Sequence, residues 1–447
     1  MLKVWTLVDL PKDKWAIGTK WVYRNKKDER GIVIKNKARL VVQGHTQEKG
    51  INYDEVFAPV TRIEAIRLFL AYASFKGFVV YQMDVKSAFL YGRIEEEVYV
   101  CQPPGFKDPN FLDKVYKVEM ALYGLHQAPR AWYETFSTYL LDNGFHMGPI
   151  DKTLFIKRHK DDILLEQVYV DDIIFGSMKK ELSTEFEKLM HDKFQMSSMG
   201  ELYFFLGLQV KQKSDGIFIS QDKYVAEVLK KLDFVNVKTA STPMKSNKPL
   251  IKDEEAKDVD VHLYKLIIGS LMYLTASRPD MQGLWCLKDS LFDLEAYSDS
   301  DYAGASHDRK FTTEGCQFLG NRLISWQCKK QTIVANSTTR AEYVVAANCC
   351  GQVLWIQNQM LDYGFNLMNT KIYIDNESTI CIVKNPVFHS KTKHIKIRHH
   401  FIRYSYEKKL IQVIKIHIDK NVADLLTIAF DVSRFQFLNA SIGLLNL

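Results

Sequence analysis

Nothing in this chain is long and apolar enough to enter a membrane. Its longest apolar run, Leu266 to Ala276, is broken by Gly269 and Ser270 and falls short of the roughly 20 residues a bilayer needs. The first residues lack the charged, apolar and small-residue succession of a signal peptide. Cysteines number seven, an odd count, with no CxxC spacing. That argues against a disulfide framework or a zinc site and leads us to expect a reduced, intracellular protein. Internal repeats and low-complexity linkers are also missing. What remains, 447 residues that are 47% hydrophobic and 25% charged, is ordinary globular composition with room for two to three domains.

The net charge of +7 is spread unevenly. From Lys20 to Lys49 nine basic residues face three acidic ones, and from Lys384 to Lys409 there are eight basic residues, four histidines and one acid, Glu407. One such run is usually a solvated face, whereas two suit a polyanion laid across both regions.

Pattern and punctuation give an order of elements. Thr61 to Glu64 reads as a capping box opening a helix that ends at Gly77, and Phe78 to Met83 reads as a buried strand running into Asp84. Pro129 opens a second helix, closed by Gly144. Leu164–Val170 and Ile173–Phe175 read as two strands with Asp171 and Asp172 at the tip between them. The polar stretch 243–260 suggests an exposed connection. A second αβ series begins near Leu291, with a hairpin around Gly320, a helix capped at Ser337 that runs to about Tyr363, and strands at Lys371–Ile374 and Ile411–Ile418. These signals divide the chain near residue 283.

Phosphoryl transfer between nucleotides uses two divalent ions about 3.5–4 Å apart, held by carboxylates on rigid elements. A strand ending in Asp84 beside a hairpin carrying Asp171 and Asp172 has that form. Any one of these aspartates alone reads as a turn residue. Two adjacent carboxylates in an apolar hairpin are different, because burying them without a cation is costly. The strings KARLVVQGHTQEKGINYDEVFAPV, YQMDVKSAFLYG, LYGLHQAPRAWY, YVDDIIFGS and FLGLQV occur in this order. With them the chain resembles, over nearly its whole length, the reverse transcriptase of plant copia-type long-terminal-repeat retrotransposons.

That resemblance implies an α/β chain with an α+β palm: a right-hand polymerase of fingers, palm and partial thumb, followed by a ribonuclease H-like mixed-sheet domain. The implied boundaries are 1–242 for fingers and palm, 243–282 for a thumb remnant, 283–430 for the ribonuclease H-like domain and 431–447 for a tail. It implies Asp84, Asp171 and Asp172 as metal ligands. Lys37 and Arg39 would grip the incoming deoxynucleoside triphosphate, with Gln127 lining its pocket. Phe89 stands where a ring would exclude a 2′ hydroxyl, or else is a core aromatic.

Four further acids, Asp299, Glu342, Asp375 and Asp424, lie in YSDSDYAG, AEYVVAA, YIDNES and NVADLLT and are expected on four different elements, Asp424 on a C-terminal helix. In this order they resemble the ribonuclease H domain of the same family, which implies a second site with two Mg²⁺. Lys391, Lys393, Lys396, Arg398 and Arg403 would face the RNA–DNA hybrid. His417 reads as an ordinary strand-face histidine. Several features depart from the family's pattern: ASRPDMQ runs straight into GLWCLKDS at Gln282–Gly283, Arg340 replaces an acid, Ile428 follows Thr427, and Phe311 and Glu314 replace small residues. The expected function is an RNA-directed DNA polymerase with ribonuclease H activity, acting on an RNA template. The alternative is an impaired remnant that only binds nucleic acid. With no zinc knuckle, DTG or DSG triplet, or integrase His/Cys cluster in the sequence, the other enzymes of a Pol polyprotein are not expected here.

Overall fold

The computed structural model describes residues 3–28, 31–160, 162–234, 236–238, 240–242, 258–277, 283–288, 291–301, 310–320, 322–332, 334–385, 395–426 and 429–442. Two compact units account for them, each built from two chain segments: Met1–Thr61 with Tyr81–Gly200, and Arg62–Val80 with Glu201–Leu447. The polar connection expected at 243–260 lies, up to residue 257, outside the described residues.

In the first unit, β1 (Trp5–Val8), β5 (Tyr99–Val100) and β6 (Val115–Val118) form a small sheet in the order β1-β6-β5. Among the described residues the strands β2 (Thr19–Lys27) and β3 (Val33–Val42) pair only with each other, as an antiparallel ribbon. Of the first basic run, Lys20, Arg24, Lys26, Lys35, Lys37 and Arg39 lie on it and are exposed. The main sheet runs β4 (Val80–Asp84), β10 (Asp172–Ser177), β9 (Asp162–Tyr169), β8 (Leu154–His159), β7 (His146–Met147). The helices α2 (Ala128–Asp142) and α3 (Lys180–Lys193) contribute Trp132, Phe136, Phe186 and Met190 to the core that also holds Phe155, Phe175 and Val168 of the sheet. Burial of such side chains supplies about 1.5–3 kcal/mol each.

In the second unit, after the short strand β11 (Gly200–Glu201), one antiparallel sheet runs β12 (Phe204–Phe205), β13 (Leu208–Lys213), β14 (Gly216–Ser220), β15 (Leu284–Leu287). A mixed sheet has the order β18 (Arg322–Lys330), β17 (Thr312–Leu319), β16 (Leu294–Asp301), β19 (Thr370–Ile374), β20 (Ile411–Lys415). Its β16, β17 and β18 are antiparallel, while β19 and β20 run parallel to β16. The remaining helices are α1 (Ile63–Lys76), α4 (Asp222–Lys231), α5 (Val261–Ser277), α6 (Thr338–Asp362), α7 (Glu377–Lys384), α8 (Phe401–Glu407) and α9 (Val432–Ser441). Helix α1 is buried on nearly every side from Ala65 to Ser74. Its Arg67 lies under the Trp326 ring at 3.7 Å, donates to the Ala276 carbonyl at 3.2 Å, and has its pKa lowered to about 10 by burial. Among the described residues no helix is long and apolar enough to cross a membrane.

Two local expectations are corrected. Helix α1 starts at Ile63 with no side-chain cap, because the Thr61 hydroxyl is used elsewhere, bonding to Thr153 and to the Val168 carbonyl. Asp424 sits in a 3₁₀ turn, Val422–Leu426, and not in a longer helix. The caps at Gly77, with φ of 73°, and at Ser337, whose hydroxyl accepts from Arg340 N–H at 3.2 Å, are as the sequence signals imply.

Glu166 of β9 is paired in register with Phe155 and Phe175 and is fully buried, and among the described residues neither carboxyl oxygen has a hydrogen-bond partner. Burial raises its pKa well above the usual carboxylate range. The unfolded chain releases this proton near pH ~4.3, so between that value and the raised one the unfolded state holds fewer protons and stability falls as pH rises. Glu166→Met is therefore expected to stabilise the protein by about 1–3 kcal/mol at neutral pH, with a larger gain at pH 8 than at pH 5. Thermal melts across that range test this; a gain independent of pH would refute it.

Candidate active sites

The first candidate site is assembled by backbone bonds. The Val85 amide donates to the Asp171 carbonyl at 2.9 Å, and this ties the end of β4 to the β9–β10 turn. Asp84 is fixed from the other side: its amide donates to Ser197 Oγ at 2.7 Å, and the Ser197 amide donates to the Asp84 carbonyl at 2.9 Å. The turn itself is strained, with β-branched Val170 at φ 60°. Trp132 Nε1 donates to the Val170 carbonyl at 2.6 Å and holds it there. The turn is one residue earlier than the pattern implied, so Asp172 opens β10 opposite Tyr169.

Asp171 and Asp172 are half-buried while Asp84 is exposed. Desolvation, then the neighbouring carboxylates, push Asp172 up to about 6. Asp171 is raised mainly by desolvation and by Asp84, with Arg39 and Lys37 opposing. Lys37 and Arg39 of the ribbon thus reach Asp171 electrostatically.

The Arg39 guanidinium lies 3.9 Å from the centre of the Tyr123 ring, and that ring lies 4.9 Å from the ring of Phe89. Tyr123 was not singled out in the sequence, although it stands inside the LYGLHQAPR string. Gln127 is 2% exposed and engaged on both sides: its Nε2 donates to the Asn52 carbonyl at 2.9 Å and its Oε1 accepts from Gln47 at 3.0 Å.

The second candidate site lies in the second unit. Ligand atoms of Asp299 (β16), Glu342 (first turns of α6) and Asp375 (just past β19) all lie within 4.8 Å of one another. Asp424 joins them electrostatically, and Asn421 Nδ2 holds its turn to the Ser298 carbonyl at 3.1 Å. Desolvation and then Asp299 and Asp375 push Glu342 up to about 9 and Asp424 to about 8. Asp375 is raised by the same two causes, burial and Asp299. Glu342 Oε2 is buried without a hydrogen-bond partner among the described residues. Such a donor set, all hard oxygens held together against their own repulsion, suits a divalent cation of the Mg²⁺ type.

Of the basic string, Lys391 and Lys393 lie outside the described residues. Lys396 and Arg398 are exposed, whereas Arg403 is half-buried and donates to the Ile382 carbonyl at 3.0 Å. His417 follows β20 and caps the next turn by accepting from the Asp419 amide, so it is not a strand-face residue. Arg340 bonds Asn336 Oδ1 at 2.9 Å. Phe311 is buried with Ala335 and Ala341, and Glu314 is buried opposite Asp299 in register.

Comparison with known proteins follows the same division. Residues 2–246 match the family model described as reverse transcriptase (RNA-dependent DNA polymerase). The chain is 33% identical over 477 aligned positions to the retrovirus-related Pol polyprotein from transposon RE2 of Arabidopsis thaliana, an alignment covering 99% of this chain and 33% of that protein. It is 32% identical to the corresponding polyprotein from transposon TNT 1-94 of Nicotiana tabacum, covering 98% and 36% respectively. The chain thus spans about a third of the length of these curated relatives. Among solved structures, a foamy viral protease–reverse transcriptase in complex with double-stranded DNA aligns with a TM-score of 0.43 at 11% identity, covering 92% of this chain and 66% of that one. With the family model spanning more than half of its residues, the chain belongs to the reverse transcriptase (RNA-dependent DNA polymerase) family.

Proposed function

We propose that the chain copies RNA into DNA at the Asp84–Asp171–Asp172 site and cleaves the RNA of the resulting hybrid at the Asp299–Glu342–Asp375–Asp424 site. The observation that carries the reading is the Val85–Asp171 backbone bond, which joins two acid-bearing elements inside the segment matching the polymerase family. In this reading the β2–β3 ribbon belongs to the fingers and the β4–β10–β9 sheet to the palm, within residues 1–242. Residues 243–282 are what is left of the thumb, 283–430 the ribonuclease H-like domain and 431–447 a tail. The alignment with the RE2 relative is longer than this chain, so some positions of that relative have no counterpart here, as a loss between Gln282 and Gly283 would leave; Gln282 itself lies outside the described residues.

Asp84, Asp171 and Asp172 would hold Mg²⁺ at one site, and Asp299, Glu342, Asp375 and Asp424 at the other. Two such ions, when bound, stabilise charge on the attacking and leaving oxygens of an in-line displacement. Arg39 and Lys37 bind the triphosphate, the guanidinium being suited to bidentate contact with phosphate oxygens. Phe89 borders the sugar. Gln127 shapes the pocket from behind by fixing Gln47 and Asn52. Lys396 and Arg398 face the hybrid backbone, with Lys391 and Lys393 in the same string, while Arg403 secures α8 to α7 through Ile382. The intact element would act in the cytoplasm within a virus-like particle, or in the nucleus.

Primer extension on a short RNA template with Mg²⁺ and deoxynucleotides tests the first half. Asp171→Asn is expected to lower extension at least about 100-fold. An unaffected variant would refute the site. No extension by the wild-type chain, with hybrid binding retained, would favour the reading as a binding-only remnant.

The second site makes a prediction about metal removal. The raised folded-state pKa values of Glu342 and Asp424 mean that the metal-free fold loses stability as pH rises from about 4.5 through about 8 to 9. A cation bound there offsets the repulsion, so Mg²⁺ is expected to raise the melting temperature more at pH 8.5 than at pH 6. Scanning calorimetry with Mg²⁺ and with EDTA checks this, and an increment independent of pH would count against the acids as ligands.

A further inference from the structure

We infer that Tyr123 is the positioning residue of the triphosphate site, a plate that holds the Arg39 guanidinium over the Asp84 and Asp171 end of the sheet. The inference rests on the polymerase reading above and names a residue that reading does not use. Arg39 itself is exposed on a ribbon that is two-stranded among the described residues, so its own strand does little to fix where the guanidinium points. What fixes it is the Tyr123 ring, 3.9 Å from the guanidinium carbon, backed on its other contact by Phe89 at 4.9 Å. A guanidinium on an aromatic face keeps its edge N–H groups available for phosphate oxygens.

The backbone under Tyr123 is built to hold this arrangement. Its carbonyl accepts from the Val42 amide at 2.7 Å, which ties the end of β3 directly to the residue whose ring supports Arg39, three residues earlier on the same strand. The approach is so close that a Cβ on Gly124, at φ +97°, would collide with the Val42 carbonyl, and one on Gly44 would collide with the Gly124 carbonyl. Two glycines therefore permit the contact that sets the ribbon against the loop. Tyr123 is half-buried, and Asp171 and Asp84 both act on its phenol, so the ring bridges the cationic and anionic halves of the site.

The test is dATP affinity of the full chain on a primer–template ended with a dideoxynucleotide, measured by titration calorimetry, together with KM and kcat on an extendable primer. Tyr123→Phe, which keeps the ring, is expected to change dATP affinity less than about twofold. Tyr123→Leu is expected to weaken dATP roughly 3- to 30-fold, with the change in KM and not in kcat. In an Arg39→Ala background the same substitution should add less than about twofold. If the Leu variant does not fold, Tyr123→Gln carries the same comparison. Equal effects in the two backgrounds, or a loss confined to kcat, overturn the role. A chain that binds dATP with this dependence on Tyr123 but extends no primer refutes the polymerase reading and leaves the positioning role standing. No dATP binding even at millimolar concentration overturns both.

Discussion

The constraint on which the rest depends is that like charges have to be held together in partly dry surroundings. Carboxylates gathered within a few ångströms repel, and desolvation adds to the cost. Each unit of this chain contains such a gathering. In the second unit the result is plain: Asp424 and Glu342, both acted on by Asp299, have pKa values raised to about 8 and about 9. A fold keeps groups in such a state only where its backbone leaves them nowhere else to go, and in both units the local scaffolding has that character.

In the first unit the scaffolding consists mainly of main-chain bonds. Val85 to Asp171, and the reciprocal pair between Asp84 and Ser197, fix the acids by their peptide groups, so the side-chain oxygens stay available for other partners. Trp132 spends its only donor on the turn, at the carbonyl of strained Val170. In the second unit the acids come from two strand ends, a helix and a 3₁₀ turn, with Asn421 clamping the turn to β16. Spreading the acids over separate elements lets each be held by its own hydrogen-bond ladder, and the repulsion then works against rigid structure instead of against one flexible loop.

Balancing charge enters the first site from the ribbon. Arg39 and Lys37 lower the Asp171 carboxyl that Asp84 and burial raise. The Tyr123 ring, 3.9 Å from the Arg39 guanidinium and 4.9 Å from the Phe89 ring, gives this cation an aromatic face to rest on. A guanidinium paired to a carboxylate would be less available to an incoming anion; one resting on a ring retains its charge and most of its donors.

Periodicity and punctuation in the sequence made most elements legible: β4 ending at Asp84, the β9–β10 hairpin, α2 behind its proline, and α6 capped by Ser337. They were legible because burial on one face and capping are local in sequence. The grouping of acids was partly legible as well: Asp299, Glu342 and Asp375, picked out from separate strings, have ligand atoms within 4.8 Å of one another. What the sequence could not determine is which side chains meet across distance. Thr61 has the form of a helix cap, and only the approach of Thr153 and Val168 turns its hydroxyl away. Gln127 has the form of a pocket residue, and only the positions of Gln47 and Asn52 bury its amide. Tyr123 is one aromatic among 22 tyrosines; its place between Arg39 and Phe89 arises from a close backbone approach between β3 and the loop at Gly124. Local free energies are written into neighbouring residues, whereas the partner of a hydroxyl, an amide or a ring is decided by long-range packing.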